Sequence, residues 1–260
     1  MSDPKKKGGT LPRAIYKVDE KESPFIITEA FRNLMTNVGF AIPKKEEGKG
    51  KVVCVSSSIA SEGKTTVSVN LALTCAGSGA KTVLVDCDLR KPHVRAYFDI
   101  GEKEGIISYL SGQATLEEVT VKDVVPGLDV IAGKQSAPNP IVLLNDESFG
   151  KMIEKLESEY DYVIVDTSPV GIVSDATIIG QKTDGVILVT RQMYSNHRAL
   201  REVLRQFDFA GCRVLGFVLN DFSVSRGKYY GSKYGYKYGY SKYGYPKYGA
   251  ETAAQTEKKE

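Results

Sequence analysis

Tryptophan is absent from this 260-residue chain, and histidine occurs only twice. His93 and His197 stand in no ligand-like spacing, so a histidine-built metal centre is excluded and neither residue is assigned a role. Four cysteines, Cys54, Cys75, Cys87 and Cys212, form no C-x-x-C pair and fall within apolar stretches. They read as small, reduced core residues, which leaves no basis for structural zinc or a disulfide framework. No apolar run approaches the ~20 residues that cross a bilayer. The opening Met-Ser-Asp-Pro-Lys-Lys-Lys also lacks the apolar stretch of a signal peptide. The expectation is a cytosolic protein.

Acid and base nearly balance over the whole chain, with 35 Lys and Arg against 32 Asp and Glu, yet they are unevenly placed. Residues 51–225 carry 17 positive and 22 negative side chains, whereas residues 226–260 carry 8 and 3. A folded part with more acid than base offers no patch for a polyanion, which argues against nucleic acid as a partner. The basic end is drawn instead to the acidic part of its own or a neighbouring copy, within the roughly 8 Å that physiological salt leaves unscreened.

That basic end holds what the chain has in abundance. Nine of the twenty residues from Tyr229 to Tyr248 are tyrosine: Tyr229, Tyr230, Tyr234, Tyr236, Tyr238, Tyr240, Tyr243, Tyr245 and Tyr248. Gly, Lys and Ser space them and no aliphatic residue accompanies them, so the segment buries too little apolar surface to offset the entropy of ordering. A disordered row of exposed phenols follows. By composition it is either a substrate for modification or an adhesive low-complexity segment.

Upstream the pattern is that of one α/β domain. Val52–Val55, Thr82–Val85, Leu128–Ile131, Tyr162–Val165, Val186–Val189 and Val214–Leu219 are short apolar runs, many of them β-branched. Helical stretches at about 64–77, 140–159 and 196–208 separate them, which implies βαβ units and a mostly parallel sheet flanked by helices. Residues 1–24 read as a flexible polar arm, and a helix started by Ser23 or Thr28 carries Phe25, Ile26, Ala30, Phe31, Leu34 and Val38. Residues 43–50 form a charged linker. All parallel strands end on one edge, where ligands of such sheets bind. The last strand therefore releases the tyrosine segment beside the loop of the first. The twenty-seven residues from Asp221 to Tyr248 can extend about 90 Å, far enough to reach a neighbouring copy.

Three strand-end motifs carry chemistry. Cys54 to Thr66 runs from a strand into a helix and ends Ser61-Glu62-Gly63-Lys64-Thr65-Thr66, the context of a P-loop. Such a loop turns backbone N–H groups onto phosphate oxygens at a helix N-terminus. Lys64 would reach the β- and γ-phosphates, the Thr65 hydroxyl would ligate Mg²⁺, and Gly63 permits close approach. Ser58 stands where the motif G-x-x-x-x-G-K-[ST] has its first glycine. Asp86 and Asp88 end the second strand on one face, a pair that either shares a cation or caps the Arg90-Lys91-Pro92 turn. Asp166 ends a third apolar run in the manner of a Walker B strand. The fold class is therefore P-loop NTPase-like α/β.

This combination resembles the bacterial tyrosine kinases, P-loop enzymes unrelated to the eukaryotic kinase fold, in their cytoplasmic Gram-positive form. The resemblance spans roughly residues 24–248. It rests on Glu62-Gly63-Lys64-Thr65, Val85-Asp86-Cys87-Asp88-Leu89-Arg90-Lys91-Pro92, Ala137-Pro138-Asn139-Pro140, the Walker B run, Val173-Ser174-Asp175-Ala176 and the terminal tyrosines. It implies an arm and oligomerisation helix over 1–50, a kinase domain over 51–225 and an acceptor tail over 226–260. It implies an enzyme that takes ATP and Mg²⁺ and autophosphorylates the nine tyrosines in trans. Ser61, Glu62, Gly63, Lys64, Thr65 and Thr66 would hold ATP, with Asn220 at the adenine. Thr65, Asp86, Asp88 and Asp166 would hold the metal. Lys64, Asp86 and Asp88 would be catalytic, Asp86 taking the tyrosine proton. Ser68, Arg191 and Asp175 are further candidates for nucleotide or subunit contacts.

The resemblance also implies a homo-oligomer, with a ring as one form, although Met35 stands where the family's Glu29-x-x-Arg32-x-x-Arg pattern has its second arginine. Control of capsule or exopolysaccharide synthesis, a membrane adaptor of the polysaccharide co-polymerase type at the inner face of the membrane, and a cognate tyrosine phosphatase complete the implied setting. Two other classes stay open at this stage. One is a ParA/MinD-like P-loop ATPase, whose signature lysine near the start of the loop is missing from Ile59 and Ala60. The other is a nucleotide-gated scaffold with an adhesive tail.

Overall fold

The computed structural model describes residue 17 and residues 23–222. The expectations for most of the N-terminal arm, for the whole tail over 226–260 and for all nine acceptor tyrosines lie outside the described residues. Within them stand seven strands and eight α-helices: α1 (Phe25–Ala41), β1 (Lys51–Ser57), α2 (Lys64–Gly77), β2 (Thr82–Cys87), α3 (Ile106–Leu110), α4 (Leu116–Val119), β3 (Thr120–Val125), β4 (Leu128–Ile131), α5 (Pro140–Asn145), α6 (Glu147–Glu159), β5 (Tyr162–Thr167), α7 (Asp175–Gly180), β6 (Gly185–Arg191), α8 (His197–Phe209) and β7 (Val214–Asn220). A 3₁₀ turn spans Val94–Tyr97. Among the described residues no helix is long and apolar enough to cross a membrane.

The strands form one sheet in the order β3-β4-β2-β5-β1-β6-β7. All neighbours run parallel except β3, which lies antiparallel on β4. Strands β1, β2 and β5 are covered on both faces, which is why they read as unbroken apolar runs rather than alternating ones. The pleat still sorts their side chains. Val52 and Cys54 join one buried layer with Val83, Val85, Phe149, Leu156 and Phe207, while Val53 and Val55 join the opposite layer with Leu71, Leu84, Val130 and Ile164. Helix α1 adds Val38 and Ile42 to that second layer, with Phe31, Leu34 and Met35 packed against it.

Four local readings are corrected. Helix α1 starts after Pro24, with neither Ser23 nor Thr28 as its cap: Pro24 holds the extended entry at φ −55° and ψ 132°, and Thr28 is buried in the first turn with its hydroxyl unpartnered. The stretch 140–159 is two helices, because Asp146 turns extended (φ −65°, ψ 151°) and its carboxylate takes the Ser148 N–H as the cap of α6. Strand β3 was not expected. Its Lys122-Asp123 centre is exposed and Asp123 sits at φ +48°, so the alternation that marks a strand is broken where the register shifts. The short helices α3, α4 and α7 also left too little periodicity to be read.

Candidate functional site

The loop from β1 to α2 is built by conformation as much as by composition. Ser61 and Gly63 both hold left-handed backbone, at φ 70° and φ 98°. Helix α2 then begins at Lys64 with no side chain capping its N-terminus, so the first-turn amides face the loop. The ends of β5, beside β1, and of β2, one strand further out, supply acid. Asp86 and Asp166 are direct partners in the β2–β5 pairing, and both are wholly buried.

Lys64 bridges the acids. Its ammonium lies 2.9 Å from Asp88 Oδ2 and 3.5 Å from Asp166 Oδ2, and it donates to Thr65 Oγ1 at 3.2 Å. Asp166 in turn accepts the Thr65 hydroxyl at 2.7 Å and the Ser68 hydroxyl at 2.9 Å. Asp88 accepts the Ser168 hydroxyl at 2.8 Å and the Lys91 N–H at 3.0 Å. One oxygen of Asp86 takes the N–H groups of His93 and Val94, both at 3.0 Å, and the other takes the Asp88 N–H at 3.2 Å.

Charge follows from this packing. Burial works against the Lys64 ammonium, but Asp166, Asp88 and Asp86 together outweigh it and push the group up to about 12. Burial raises Asp86, and the neighbouring Asp166 raises it further, to about 7 despite the Val94 N–H and Lys64. Asp166 is likewise raised by burial, against the pull of Lys64 and the Thr65 hydroxyl. Burial would also raise Asp88, yet the Lys64 contact wins and holds it below the usual carboxylate range.

The expected residues Lys64, Thr65, Ser68, Asp86, Asp88 and Asp166 thus meet at one place. Others are spent differently. The Thr66 hydroxyl pairs with the Tyr97 phenol at 2.8 Å. The Glu62 side chain is fully buried against Ser58 and Ser195, away from Lys64's cluster of carboxylates. Asn220 donates to the Glu62 carbonyl at 2.9 Å, bringing the end of β7 onto the loop. Arg191 pairs with Asp221 at 2.8 Å and reaches the Ser61 carbonyl at 3.5 Å. Arg90 is clamped in two contacts on buried Asp175, at 2.7 and 3.0 Å, and Lys91 is exposed. Glu29 and Arg32 pair with each other at 2.7 Å on α1. Reasoning from sequence passed over Ser168, Tyr97 and Ser195; Ser168 alone had a signal, two positions past Asp166.

The donors suit a hard cation. Thr65, Asp88 and Asp166 offer only oxygen, and the place between the two carboxylates already holds positive charge in the Lys64 ammonium. Among the described residues no three acidic, histidine or cysteine side chains converge as a closed metal cage. Mg²⁺ keeps several waters and is held by one or two carboxylates together with phosphate oxygens, and Thr65, Asp88 and Asp166 offer donors of that kind.

Comparison with known proteins places this arrangement. The chain matches the AAA domain family over residues 50–210. It is 38% identical to the tyrosine-protein kinase CpsD of Streptococcus pneumoniae over 216 residues, 82% of this chain and 93% of that protein. It is 34% identical to the tyrosine-protein kinase ptk of Acinetobacter johnsonii over 209 residues, 80% of this chain, but spans only 28% of that protein's length. The kinase domain of the Escherichia coli tyrosine kinase ETK superposes with a TM-score of 0.69 at 30% identity, covering 75% of this chain and 77% of that one. The Mg-ADP complex of MinD from Pyrococcus horikoshii shares the fold alone, at 23% identity and a TM-score of 0.57 over 65% of this chain and 70% of that one.

Proposed function

The chain belongs to the bacterial tyrosine kinases and is a protein-tyrosine kinase of the capsule and exopolysaccharide type, and on that footing we propose that it transfers the γ-phosphoryl group of ATP to the tyrosines of its own C-terminal segment. The observation that carries this reading is the meeting of Lys64 and Thr65, from the loop after β1, with Asp88 and Asp166, from the ends of β2 and β5.

Phosphoryl transfer calls for positioning and charge neutralisation more than covalent chemistry. The uncapped start of α2 and the backbone of residues 61–65 bind the phosphates, and Lys64 swings from its carboxylates to the β- and γ-phosphates. Thr65, Asp166, Asp88 and Asp86 would hold Mg²⁺, which would supply charge neutralisation at the phosphate oxygens. Asp86 accepts the proton of the incoming phenol. A free phenol loses its proton near pH 10 and an ordinary aspartate near 4. Burial and the neighbouring Asp166 lift Asp86 to about 7, which narrows that gap. His93 and Val94 keep it in place through their N–H groups.

We assign Asn220, which lies beside the loop at the end of β7, to contact with the adenine. Arg90 is committed to Asp175, so its part is to hold the Arg90-Lys91-Pro92 turn against α7 rather than to contact phosphate. We assign α1, through Glu29 and Arg32, to packing between copies in a homo-oligomer. A membrane adaptor of the co-polymerase type would bring the chain to the inner face of the membrane, and a tyrosine phosphatase would reverse its modification.

Incubating the purified chain with Mg-ATP and mapping phosphate by mass spectrometry tests the reading. Phosphotyrosine within residues 229–248 supports it. Phosphate release without transfer would favour a MinD-like ATPase, and neither outcome would leave a scaffold.

A further inference from the structure

The nucleotide reading makes no use of the Glu62 side chain, yet that side chain is entirely buried and fully engaged. Its two oxygens accept the Ser58 hydroxyl at 3.1 and 3.0 Å, and one of them accepts the Ile59 N–H at 2.9 Å. The Ser195 hydroxyl, 133 positions away in sequence, also donates to it. Ser195 is itself fixed by the Arg191 N–H at 2.6 Å. The same segment after β6 touches the loop twice more, with the Tyr194 hydroxyl 3.2 Å from the Ala60 carbonyl and Arg191 near the Ser61 carbonyl.

We propose that Glu62 is a positioning residue: held by Ser58 and Ser195, its carboxylate preforms the phosphate loop by tying it to the segment after β6, and it does not itself contact phosphate. This rests on the reading of residues 58–65 as the phosphate loop. The proposal accounts for the departure from the loop motif. Ser58 is absent from the residues with positive φ, so its backbone makes no demand for glycine, and its hydroxyl is one of the donors that Glu62 requires. Serine at this position is a working part of the loop.

An unusual expectation follows. Ser58→Gly, which restores the motif residue, weakens nucleotide binding instead of improving it. Ser195→Ala does the same from the far side of the carboxylate. Each removes one hydrogen bond to a buried acid and raises the Kd for Mg-ATP about 5- to 30-fold, with kcat at saturating nucleotide changed less. The double variant falls short of the product of the two effects, because both act on one carboxylate. Ser195→Thr keeps the hydroxyl and returns binding toward the wild-type value.

Amide hydrogen exchange on the full nucleotide-free chain provides a readout independent of ATP. The peptide covering residues 58–64 exchanges faster in Ser58→Gly and in Ser195→Ala, while β1, β2 and β5 stay as protected as in the wild type. Unchanged loop exchange in both variants, or tighter binding by Ser58→Gly, would overturn the proposal. So would uniformly faster exchange across the sheet, which would make Glu62 a residue of general stability. A loop that loosens as expected in a protein that does not bind Mg-ATP even as wild type would uphold the tie and overturn the nucleotide reading instead.

Discussion

A β-carbon placed on Gly63 would stand 1.9 Å from the side-chain amide nitrogen of Asn220, and Gly63 holds φ at +98°. Two demands therefore meet at one residue: a left-handed backbone before the first turn of α2, and clearance for the end of β7. Gly63→Ala is expected to displace the loop, cost about 1–3 kcal/mol of stability and remove detectable Mg-ATP binding. Asn220→Ala in that background restores the space but not the backbone freedom, so it recovers only part of the affinity. Calorimetric titration checks both.

Lys64→Met removes the cation between Asp88 and Asp166 as well as the charge that reaches the phosphates. Phosphotyrosine formation should fall by about 10²- to 10³-fold. The nucleotide-free protein should also melt lower, since two buried carboxylates lose their partner. Circular dichroism and thermal melts separate these effects. Transfer at near wild-type rate would contradict the role given to Lys64.

Neighbouring cations should behave differently at the Arg90-Lys91 turn. Arg90→Ala leaves the buried Asp175 carboxylate without its two-contact partner and is expected to cost about 2–4 kcal/mol. Lys91→Ala changes an exposed side chain and keeps the backbone N–H that serves Asp88, so it should fall within about 0.5 kcal/mol of the wild type. Urea denaturation distinguishes the two. Equal costs would mean that the Arg90–Asp175 clamp adds nothing.

Far from the phosphate loop, Asp129 supplies a pH dependence. Burial would raise its pKa, but Lys122 at 2.8 Å, the Tyr160 hydroxyl and the Asp123 N–H hold it below the usual carboxylate range. A depressed native pKa contributes stability that is present above the unfolded value near 4 and is lost as pH falls through the native one. Asp129→Asn should therefore flatten the loss of stability below about pH 4 while lowering stability at neutral pH. Melts across pH 2–7 measure this. An unchanged acid limb would assign the loss to other acids.

Much of the site was legible in the sequence because a parallel sheet writes it in continuous stretches. Strands covered on both faces appear as apolar runs, and the loops that bind anions sit at their ends. Gly63-Lys64-Thr65, Asp86, Asp88 and Asp166 could each be read from position alone, as could their convergence on one sheet edge. The edge strand β3 could not, since its Lys122-Asp123 centre is exposed and its pairing with β4 is irregular. Nor could the break at Asp146, which looks like any acid within a helical stretch until its carboxylate caps Ser148.

Composition and local pattern determined the class of the protein: a reduced α/β domain with an acidic folded part, a phosphate loop, three strand-end acids and a basic segment rich in tyrosine. These are properties of short windows, in which period, turn residues and charge are all local. Only the tertiary structure decided which neighbours each polar group meets. It placed the Lys64 ammonium between Asp88 and Asp166, turned Arg90 onto Asp175, sent the Thr66 hydroxyl to Tyr97 and joined Glu62 to Ser195. The physical reason is that a buried polar group must find a partner wherever the packing of the whole chain brings one. Such partners lie 24 to 133 positions apart here, beyond the reach of any local pattern.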